Sequence, residues 1–337
     1  MSEISKFMKV DWSSIARIIG IESSSVAKIT GSDAPAGTPS PGDRGVFGGG
    51  VPNAGNYNLI QYITISNTGD ATSFGDLLSI PFPERGAACS NGATDRGVFA
   101  SSAPSRAEID YITISTTGDA TSFGNLTQGR RNATGTSNNT NDRGVFGGGD
   151  VSGTGLNSIE YITISTTGDT QDFGDLVGGA YVNVRATSNG TNNRGVFGGG
   201  SSGYVNIIRY ITISSTGSSQ DFGDLTLARD NANASSNLTN NRGVFGGGTN
   251  GSALNRIDYI TISSTGHASD FGDLLEVNNF GSATSNGVSD RGVFGGGHND
   301  AVALNRIQYI TISSTGNSQD FGDLISPRYS TAATSNS

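Results

Sequence analysis

Glycine runs are the first feature of this sequence with a possible chemical role, because such runs cradle phosphates in nucleotide-binding loops. A triplet stands at Gly48–Gly50 and recurs in four later places. A phosphate-binding loop also needs a Gly-Lys-Ser/Thr ending, and no lysine follows Lys28. The triplets are therefore interpreted as backbone devices that let a strand turn out of a crowded sheet.

The two histidines and the single cysteine do not form a constellation for catalysis or metal binding. His267 follows a Thr-Gly turn and His298 opens a longer loop. In the repeat described below, these two connections lie on opposite faces, so the histidines cannot share a metal. Cys89 has no histidine placed to activate it, as a nucleophile would require. It is predicted to fill space in an inner strand, and neither a cofactor nor a metal is expected.

An aspartate in a recurring Phe-Gly-Asp-Leu string is the remaining candidate for chemistry. It is present in five copies of the string and is replaced by Asn125 in the sixth. Repetition at that level favours a turn or capping hydrogen bond, with calcium binding as the alternative. No acid–base or metal constellation is present, and an enzyme is therefore not expected.

Internal repetition dominates the rest of the chain. The string Arg-Gly-Val-Phe is followed each time by Ile-x-Tyr-Ile-Thr-Ile-Ser, a Thr-Gly or similar turn, and Phe-Gly-Asp/Asn-Leu. The string Ala-x-Ser-Asn precedes most of the next copies. Six copies of Arg-Gly-Val-Phe occur, starting at Arg44, Arg96, Arg143, Arg194, Arg242 and Arg291.

Each of the four strings predicts a short strand, because β-branched and aromatic residues are bounded by Gly, Ser, Asn and Thr. Four strands in each unit of about 50 residues are typical of a propeller blade. The 294 residues from Arg44 to the last residue correspond to six units of 49. The first unit lacks its own Ala-x-Ser-Asn string, and the chain ends with an extra copy, Ala333–Asn336. The sequence therefore predicts an all-β, six-bladed β-propeller that the C-terminal strand closes.

The order of these strings resembles the kelch repeat. In that family a middle strand ends in a Gly pair, a Tyr-containing strand follows, and an Arg stands shortly before the next inner strand. Gly48–Gly50 and Tyr62 match the first two features, and Phe replaces the Trp of the outer strand. The resemblance covers residues 44–337 and implies a kelch-like propeller. The matches to the kelch arginine are Arg131, Arg185, Arg229 and Arg328.

Residues 1–31 belong to no blade and are predicted to form a helical N-terminal attachment segment, joined by a linker at 32–43 to the propeller at 44–337. Ser14–Gly20 and Ser25–Gly31 repeat one pattern after 11 residues, each with a Gly stop. Such short helices need a docking surface. Docking on another protein is favoured, with docking on the chain's own propeller as the alternative. The apolar side chains expected to dock are Trp12, Ile15, Ile18, Ile19, Val26 and Ile29.

The charge of the repeat region excludes one class of partner. Residues 32–337 contain 16 Arg against 26 Asp plus Glu. A surface that acidic repels phosphate backbones, and nucleic acid is therefore not expected as a partner. No run of about 18 apolar residues is present, so membrane insertion is not expected either.

Variation among the six copies indicates where binding would take place. Two of the four connections are short and nearly uniform, whereas the other two differ from blade to blade, as in Val51–Asn58 against Ser201–Asn206. Variable loops on a rigid frame are common binding sites, although sequence drift alone would also produce variation. The aromatic residues in these loops are the predicted binding residues: Tyr57, Phe82, Tyr181, Tyr204, Phe280 and Tyr329.

The combination of repeats and leader resembles virion structural proteins of tailed bacteriophages, particularly cyanophages. The strings that carry the resemblance are Arg-Gly-Val-Phe-Gly-Gly-Gly, Tyr-Ile-Thr-Ile and Phe-Gly-Asp-Leu, after a leader with Ser-Ile-Ala-Arg-Ile-Ile-Gly. The resemblance implies a non-enzymatic component of the particle surface, such as a tail fibre or appendage. Residues 1–31 would bind other virion proteins, and the propeller would recognise a host-surface glycan or protein. A capsid decoration protein and a free kelch-like interaction module are the alternatives.

Overall fold

The computed structural model describes residues 43–53, 57–78, 86–92, 94–102, 105–138, 141–188, 190, 192–201, 203–237, 240–287 and 289–335. These residues form six four-stranded antiparallel sheets arranged as a six-bladed β-propeller. The predicted all-β class and the six blades are confirmed. Within the described ranges no helix is long and apolar enough to cross a membrane. The predicted helical leader lies outside the described residues.

Each blade consists of an inner, a second, a third and an outer strand, counted from the ring axis. For blades 1 to 6, the inner strands are β28 (Ala332–Ser335), β5 (Ala87–Cys89), β9 (Thr134–Ser137), β15 (Arg185–Thr187), β19 (Asn233–Ser236) and β23 (Ser282–Ser285). The second strands are β1 (Arg44–Gly48), β6 (Arg96–Ser102), β10 (Arg143–Gly147), β16 (Arg194–Gly198), β20 (Arg242–Gly246) and β24 (Arg291–Gly295).

The third and outer strands complete the blades in the same order. The third strands are β3 (Leu59–Thr64), β7 (Arg106–Thr113), β13 (Ser158–Thr163), β17 (Ile207–Thr212), β21 (Arg256–Thr261) and β25 (Arg306–Thr311). The outer strands are β4 (Thr72–Asp76), β8 (Thr121–Asn125), β14 (Gln171–Asp175), β18 (Gln220–Asp224), β22 (Ser269–Asp273) and β26 (Gln319–Asp323). Two short ribbons lie in the connections: β2 (Val51–Pro52) with β27 (Arg328–Tyr329), and β11 (Asp150–Val151) with β12 (Thr154–Gly155).

The C-terminal strand closes the ring, as the sequence predicts. β28 pairs antiparallel with β1, in a register that runs from Gly45 opposite Ser335 to Gly48 opposite Ala332. Blade 1 therefore takes its inner strand from the end of the chain and its other three strands from the beginning. This pairing removes the open sheet edge that a ring of incomplete blades would present.

The last glycines of the Arg-Gly-Val-Phe-Gly-Gly-Gly string have separate structural roles. A Cβ on Gly48 would lie 2.8 Å from the ring of Phe99 in the next blade, so the absence of a side chain lets the two blades meet. Gly49 and Gly50 have φ values of 70° and 93°, in the left-handed region that favours glycine. Gly49 and Gly50 therefore turn the chain away from the sheet, as the glycine triplet predicts.

The repeated arginine, tyrosine and phenylalanine form one stack in every blade. In blade 1 the guanidinium of Arg44 lies 4.6 Å from the ring centroid of Tyr62, and that ring meets Phe74 edge-to-face at 6.0 Å. Arg44 Nη1 also donates to the carbonyl oxygen of Ile114 in the next blade, at 3.0 Å. The same interblade bond occurs at every seam, from Arg96 to Ile164, Arg143 to Ile213, Arg194 to Ile262, Arg242 to Ile312 and Arg291 to Ile65.

The outer strand of each blade is covered by a turn from the next blade. The amides of Gly118 and Ala120 donate to the carbonyl oxygens of Phe74 and Asp76, at 2.9 and 2.8 Å. Equivalent bonds connect every seam, including the one between blades 6 and 1, where Gly69 donates to Phe321. The outer edges, which would otherwise present unpaired backbone groups, are therefore partly paired.

Replacing Gly75 with Ala is expected to destabilise the ring by about 1–3 kcal/mol, because overpacking at a backbone contact forces the chain to shift. A Cβ on Gly75 would lie 2.2 Å from the carbonyl oxygen of Gly118. The matched control is Gly69→Ala, since a Cβ there meets no atom within 4 Å. Chemical denaturation of both variants measures the difference. Equal stability would contradict the close approach of this turn to the outer strand.

Candidate binding face

The connections between strands form two faces of different character. The uniform face consists of the connections from inner to second strands and the turns from third to outer strands. The variable face consists of the connections from second to third strands and from each outer strand to the next inner strand. Backbone bonds join the two kinds of connection on the variable face, as between the amide of Leu77 and the carbonyl of Asn58, at 2.8 Å.

Repeated side-chain hydrogen bonds hold the uniform face. Asp43 accepts a hydrogen bond from the amide of Ser66 at 3.0 Å and a second from Asn286 Nδ2 at 2.6 Å. Asp142 receives the corresponding bonds from Ser165 and Asn91. Asp43, the first described residue, therefore lies on the uniform face. Ser335, the last described residue, ends the inner strand at that same face.

The variable face contains the exposed apolar surface. All seven large apolar side chains that are exposed among the described residues lie on it: Leu78, Val177, Tyr204, Leu275, Val277, Val302 and Ile325. Exposed apolar side chains grouped on one side of a soluble protein are typical of an interaction surface. The uniform face has none in the described part of the chain.

Four of the seven occupy the same position in different blades and are named the apolar collar: Leu78, Val177, Leu275 and Ile325. Each directly follows a Phe-Gly-Asp-Leu string, and the other two blades have Thr127 and Thr226 there. The backbone at this position is fixed by the next blade. The amide of Leu275 donates to Gln308 Oε1 and that of Ile325 to Gln61 Oε1, both at 2.8 Å. The collar therefore presents its side chains from a rigid backbone.

The structure corrects one of the predicted binding residues. Tyr181 is only 4% exposed and packs in the hydrophobic core of blade 3. Its hydroxyl donates to the carbonyl of Gly178 at 3.0 Å and accepts from Arg209 Nη2 at 2.5 Å, and the Arg209 guanidinium lies 4.2 Å from its ring centroid. Tyr181 therefore stabilises the seam between blades 3 and 4, and its side chain is not exposed on the variable face.

The other predicted aromatic residues have different positions. Tyr204 is 39% exposed at the tip of its connection. Phe280 and Tyr329 are half-buried and meet with ring centroids 6.3 Å apart, and His298 lies 5.4 Å from Tyr329. The structure therefore brings together Phe280 and Tyr329 and adds His298 to them. Tyr57 is half-buried on the same face, and Phe82 lies outside the described residues.

Tyr204→Asn is expected to stabilise the ring by about 1 kcal/mol, because Tyr204 has a φ of 56° and a left-handed backbone is costly for a residue other than Gly, Asn or Asp. Its exposed ring gives little packing in return. The control is Tyr57→Asn on the same face, at a position without a positive φ. Thermal unfolding of both variants is the measurement. A loss of stability in Tyr204→Asn as large as that in the control would show that the ring of Tyr204 contributes to packing.

Buried polar pairs join neighbouring blades beneath the variable face. Arg130 forms an ion pair with Glu160, and Arg229 Nη2 lies 3.0 Å from Asp258 Oδ2, with both side chains of the second pair 0% exposed. Burial lowers the pKa of both arginines, and the facing carboxylates oppose that shift. Tyr181 with Arg209 occupies the corresponding place at the seam of blades 3 and 4.

The arginines near the starts of the inner strands occupy different kinds of position. Three arginines share the position four residues before an inner strand and are fully buried: Arg130, Arg229 and Arg328. Arg131 instead pairs with Asp150 at 3.1 Å in a surface connection, and Arg185 is the first residue of β15. The sequence does not distinguish Arg130 from the adjacent Arg131, whereas in the structure Arg130 is buried and Arg131 is half-buried.

The remaining candidates for chemistry do not come together. His267 lies on the uniform face and His298 on the variable face, as predicted, where their Nδ1 atoms accept from the amides of Asp224 and Asp300. No group of three or more His, Cys, Asp or Glu that could hold a metal ion occurs in the described ranges. Cys89 is buried, and burial raises the pKa of its thiol to about 12.

Comparison with known proteins adds no family to this picture. The sequence matches no protein-family model, and no curated protein matches it significantly. The fold and the two faces of the ring therefore provide the basis for assigning a function.

Proposed function

We propose that the chain is a non-enzymatic virion structural protein of a tailed bacteriophage, a tail fibre or appendage whose kelch-like propeller recognises the host surface. The grouping of all described exposed large apolar side chains on the variable face supports this proposal most directly. The resemblance of the repeats and leader to phage virion proteins supplies the biological setting. Residues 1–31 would dock on other virion proteins.

The chemistry of the variable face favours a ligand without a high negative charge. Several arginines there already have a carboxylate partner, as in Arg106 with Glu108 at 3.2 Å and Arg306 with Glu276 at 2.8 Å. The collar offers aliphatic contact area, which contributes about 25 cal/mol per Å² buried. A host protein, or a neutral glycan that contacts the aromatic residues, suits this surface.

Mass spectrometry of purified phage particles tests whether the protein is part of the virion, as the proposal requires.

Adsorption of phage particles to host cells tests whether the variable face recognises the host surface. Leu275→Ser with Ile325→Ser is expected to reduce adsorption about tenfold or more, because truncation at a buried contact costs about 1–2 kcal/mol per side chain. The matched control is Thr127→Ser with Thr226→Ser, at the equivalent positions of two other blades. Equal adsorption of both variants by intact particles would favour the capsid decoration role, and absence from particles would favour the free interaction module.

A further inference from the structure

The ring axis is a narrow channel whose wall consists of small uncharged side chains, with a single exception. Alanine or glycine lines the middle of the channel, and one serine from each inner strand lines the end near the uniform face. The cavities at the two ends measure about 60 Å³ towards the variable face and about 130 Å³ at the serine end. The six serines are Ser90, Ser137, Ser188, Ser236, Ser285 and Ser335.

Backbone hydrogen bonds between neighbouring turns narrow the channel at the variable face. The amide of Asn231 donates to the carbonyl of Asn183 at 3.2 Å, that of Phe280 to Asn231 at 3.4 Å, and that of Ser330 to Phe280 at 2.6 Å. The smaller cavity lies beneath these turns. The serine end holds the larger of the two cavities.

The exception in the wall is Arg185, the only charged residue that lines either cavity in the described part of the chain. Arg185 begins β15, and its equivalents at the start of the other inner strands are Ala87, Thr134, Asn233, Ser282 and Ala332. An arginine is therefore not needed at this position to build a blade. Its presence places a permanently charged guanidinium in the wall of an otherwise neutral channel, with one of its five donor positions, on Nη1, bonded to the carbonyl of Val184 at 3.2 Å.

A second polar group in the same wall has unused hydrogen-bonding capacity. Asn233 is 1% exposed, and neither its Nδ2 nor its Oδ1 has a hydrogen-bonding partner. A buried carboxamide without partners is costly, by about 1–3 kcal/mol, unless a bound molecule satisfies it. Asn233 lies in the inner strand next to that of Arg185, and both residues line the smaller cavity.

Asp230 provides a competing explanation for Arg185, as the positive charge that balances a buried carboxylate. The two interact electrostatically, and Asn183 Nδ2 also donates to Asp230 at 3.2 Å. Burial nevertheless raises the pKa of Asp230 above its ordinary value. A guanidinium has enough donors to interact with Asp230 and with a second acceptor in the channel.

We propose that the smaller cavity binds one small oxyanion, a phosphate, a sulfate or a carboxylate group, through Arg185 and the carboxamide of Asn233. The guanidinium of an arginine makes its strongest hydrogen bonds to the oxygens of carboxylate and phosphate groups, because both partners are charged. A cavity of about 60 Å³ has room for one such group and not for a nucleotide. This site lies in the channel, beneath the turns of the variable face, and the inference does not depend on the proposed function.

Calorimetric titration of the full chain with inorganic phosphate, sulfate and acetate, each in chloride buffer, tests the site. Binding of one equivalent of at least one anion is expected, and Arg185→Ala is expected to weaken it about tenfold or more. Alanine is native at the equivalent positions of blades 1 and 2, so the variant is expected to fold. Arg185→Lys keeps the positive charge but removes the planar guanidinium, and it is expected to lose less affinity for the anion than Arg185→Ala.

The matched control is Arg306→Ala, which removes the same charge from an exposed position. It is expected to bind the anion as the native chain does. A preference for acetate over phosphate and sulfate would identify a carboxylate as the natural ligand, and the reverse preference a tetrahedral oxyanion. Failure of all three anions to bind would overturn the proposal. Equal binding by Arg185→Ala and Arg306→Ala would also overturn it, and Arg185 would then serve to balance Asp230.

Discussion

A chain that lacks residues 331–337 is expected to lose at least about 4 kcal/mol of its free energy of unfolding. The missing segment contains β28, which pairs with β1 over four residues, and net backbone hydrogen bonds contribute about 1 kcal/mol each. Its removal would also uncover Val46 and Phe47, both 0% exposed in the closed ring. Thermal and chemical unfolding, with light scattering to detect association through the open edge, measure the effect.

A chain that ends at Ser335 is the control for this deletion, because it keeps the whole of β28. It is expected to unfold like the full chain. A synthetic peptide of residues 331–337 should restore stability to the shorter chain in a concentration-dependent way. Unchanged unfolding of the shorter chain would contradict a structural role for β28. The bonds from Arg291 to Ile65 and from Gly69 to Phe321 would then be sufficient to close the ring.

Arg229→Ala is expected to destabilise the ring by about 3 kcal/mol, because it removes the fully buried ionic partner of Asp258 and leaves that carboxylate with only the longer ion pair to Arg256, at 3.4 Å. Arg229 Nη2 also donates to the carbonyl of Phe245 at 3.0 Å, and that acceptor would lose its bond. For comparison, Arg306→Ala removes an exposed ion pair and should cost about 1 kcal/mol or less. Denaturant unfolding at neutral pH compares the two variants.

The neighbouring seam provides a rescue for Arg229→Ala. Blades 5 and 6 have the uncharged Asn278 and Gln308 at the corresponding positions. The double change Arg229→Asn with Asp258→Gln therefore imports a pair that the fold already accepts, and it is expected to recover most of the lost stability. If the double variant is as unstable as Arg229→Ala, the loss of stability arises from lost packing and not from the lost ion pair between Arg229 and Asp258.

Repetition explains why the ring itself was predictable. Six copies of Arg-Gly-Val-Phe and Tyr-Ile-Thr-Ile repeat one set of contacts, so any single copy reports the same strand pattern and the same interblade bond. The leftover string Ala333–Asn336 predicted the closing strand, because blade 1 lacked an inner strand of its own. Local strand signals and their order were sufficient for this part of the fold.

The identity of the side chains buried between neighbouring blades could not be predicted in the same way. Tyr181 stands in a variable connection, and an aromatic residue there suggests an exposed binding residue. Its burial follows from Arg209 in the next blade, a long-range partner that no local string identifies. Alignment of the positions four residues before each inner strand would have placed Tyr181 in the same column as Arg130, Arg229, Asn278 and Arg328, which are buried polar residues.

The apolar collar was also missed, although a signal for it exists. The residue after each Phe-Gly-Asp-Leu string is aliphatic in four blades and threonine in two. Attention to aromatic residues alone led to Tyr204 and Phe280 and passed over Leu78, Val177, Leu275 and Ile325.

The repeated sequence unit and the blade begin at different strands, and this offset determines what a gain or loss of one unit does to the fold. The unit repeated in the sequence begins with a second strand and ends with the inner strand of the following blade. A recombination event between two copies therefore deletes or inserts a block that crosses from one sheet into the next. Each remaining sheet would still contain four strands after such an event, and the last strand would still be the partner of β1. A change in the number of units therefore leaves no sheet without its inner strand.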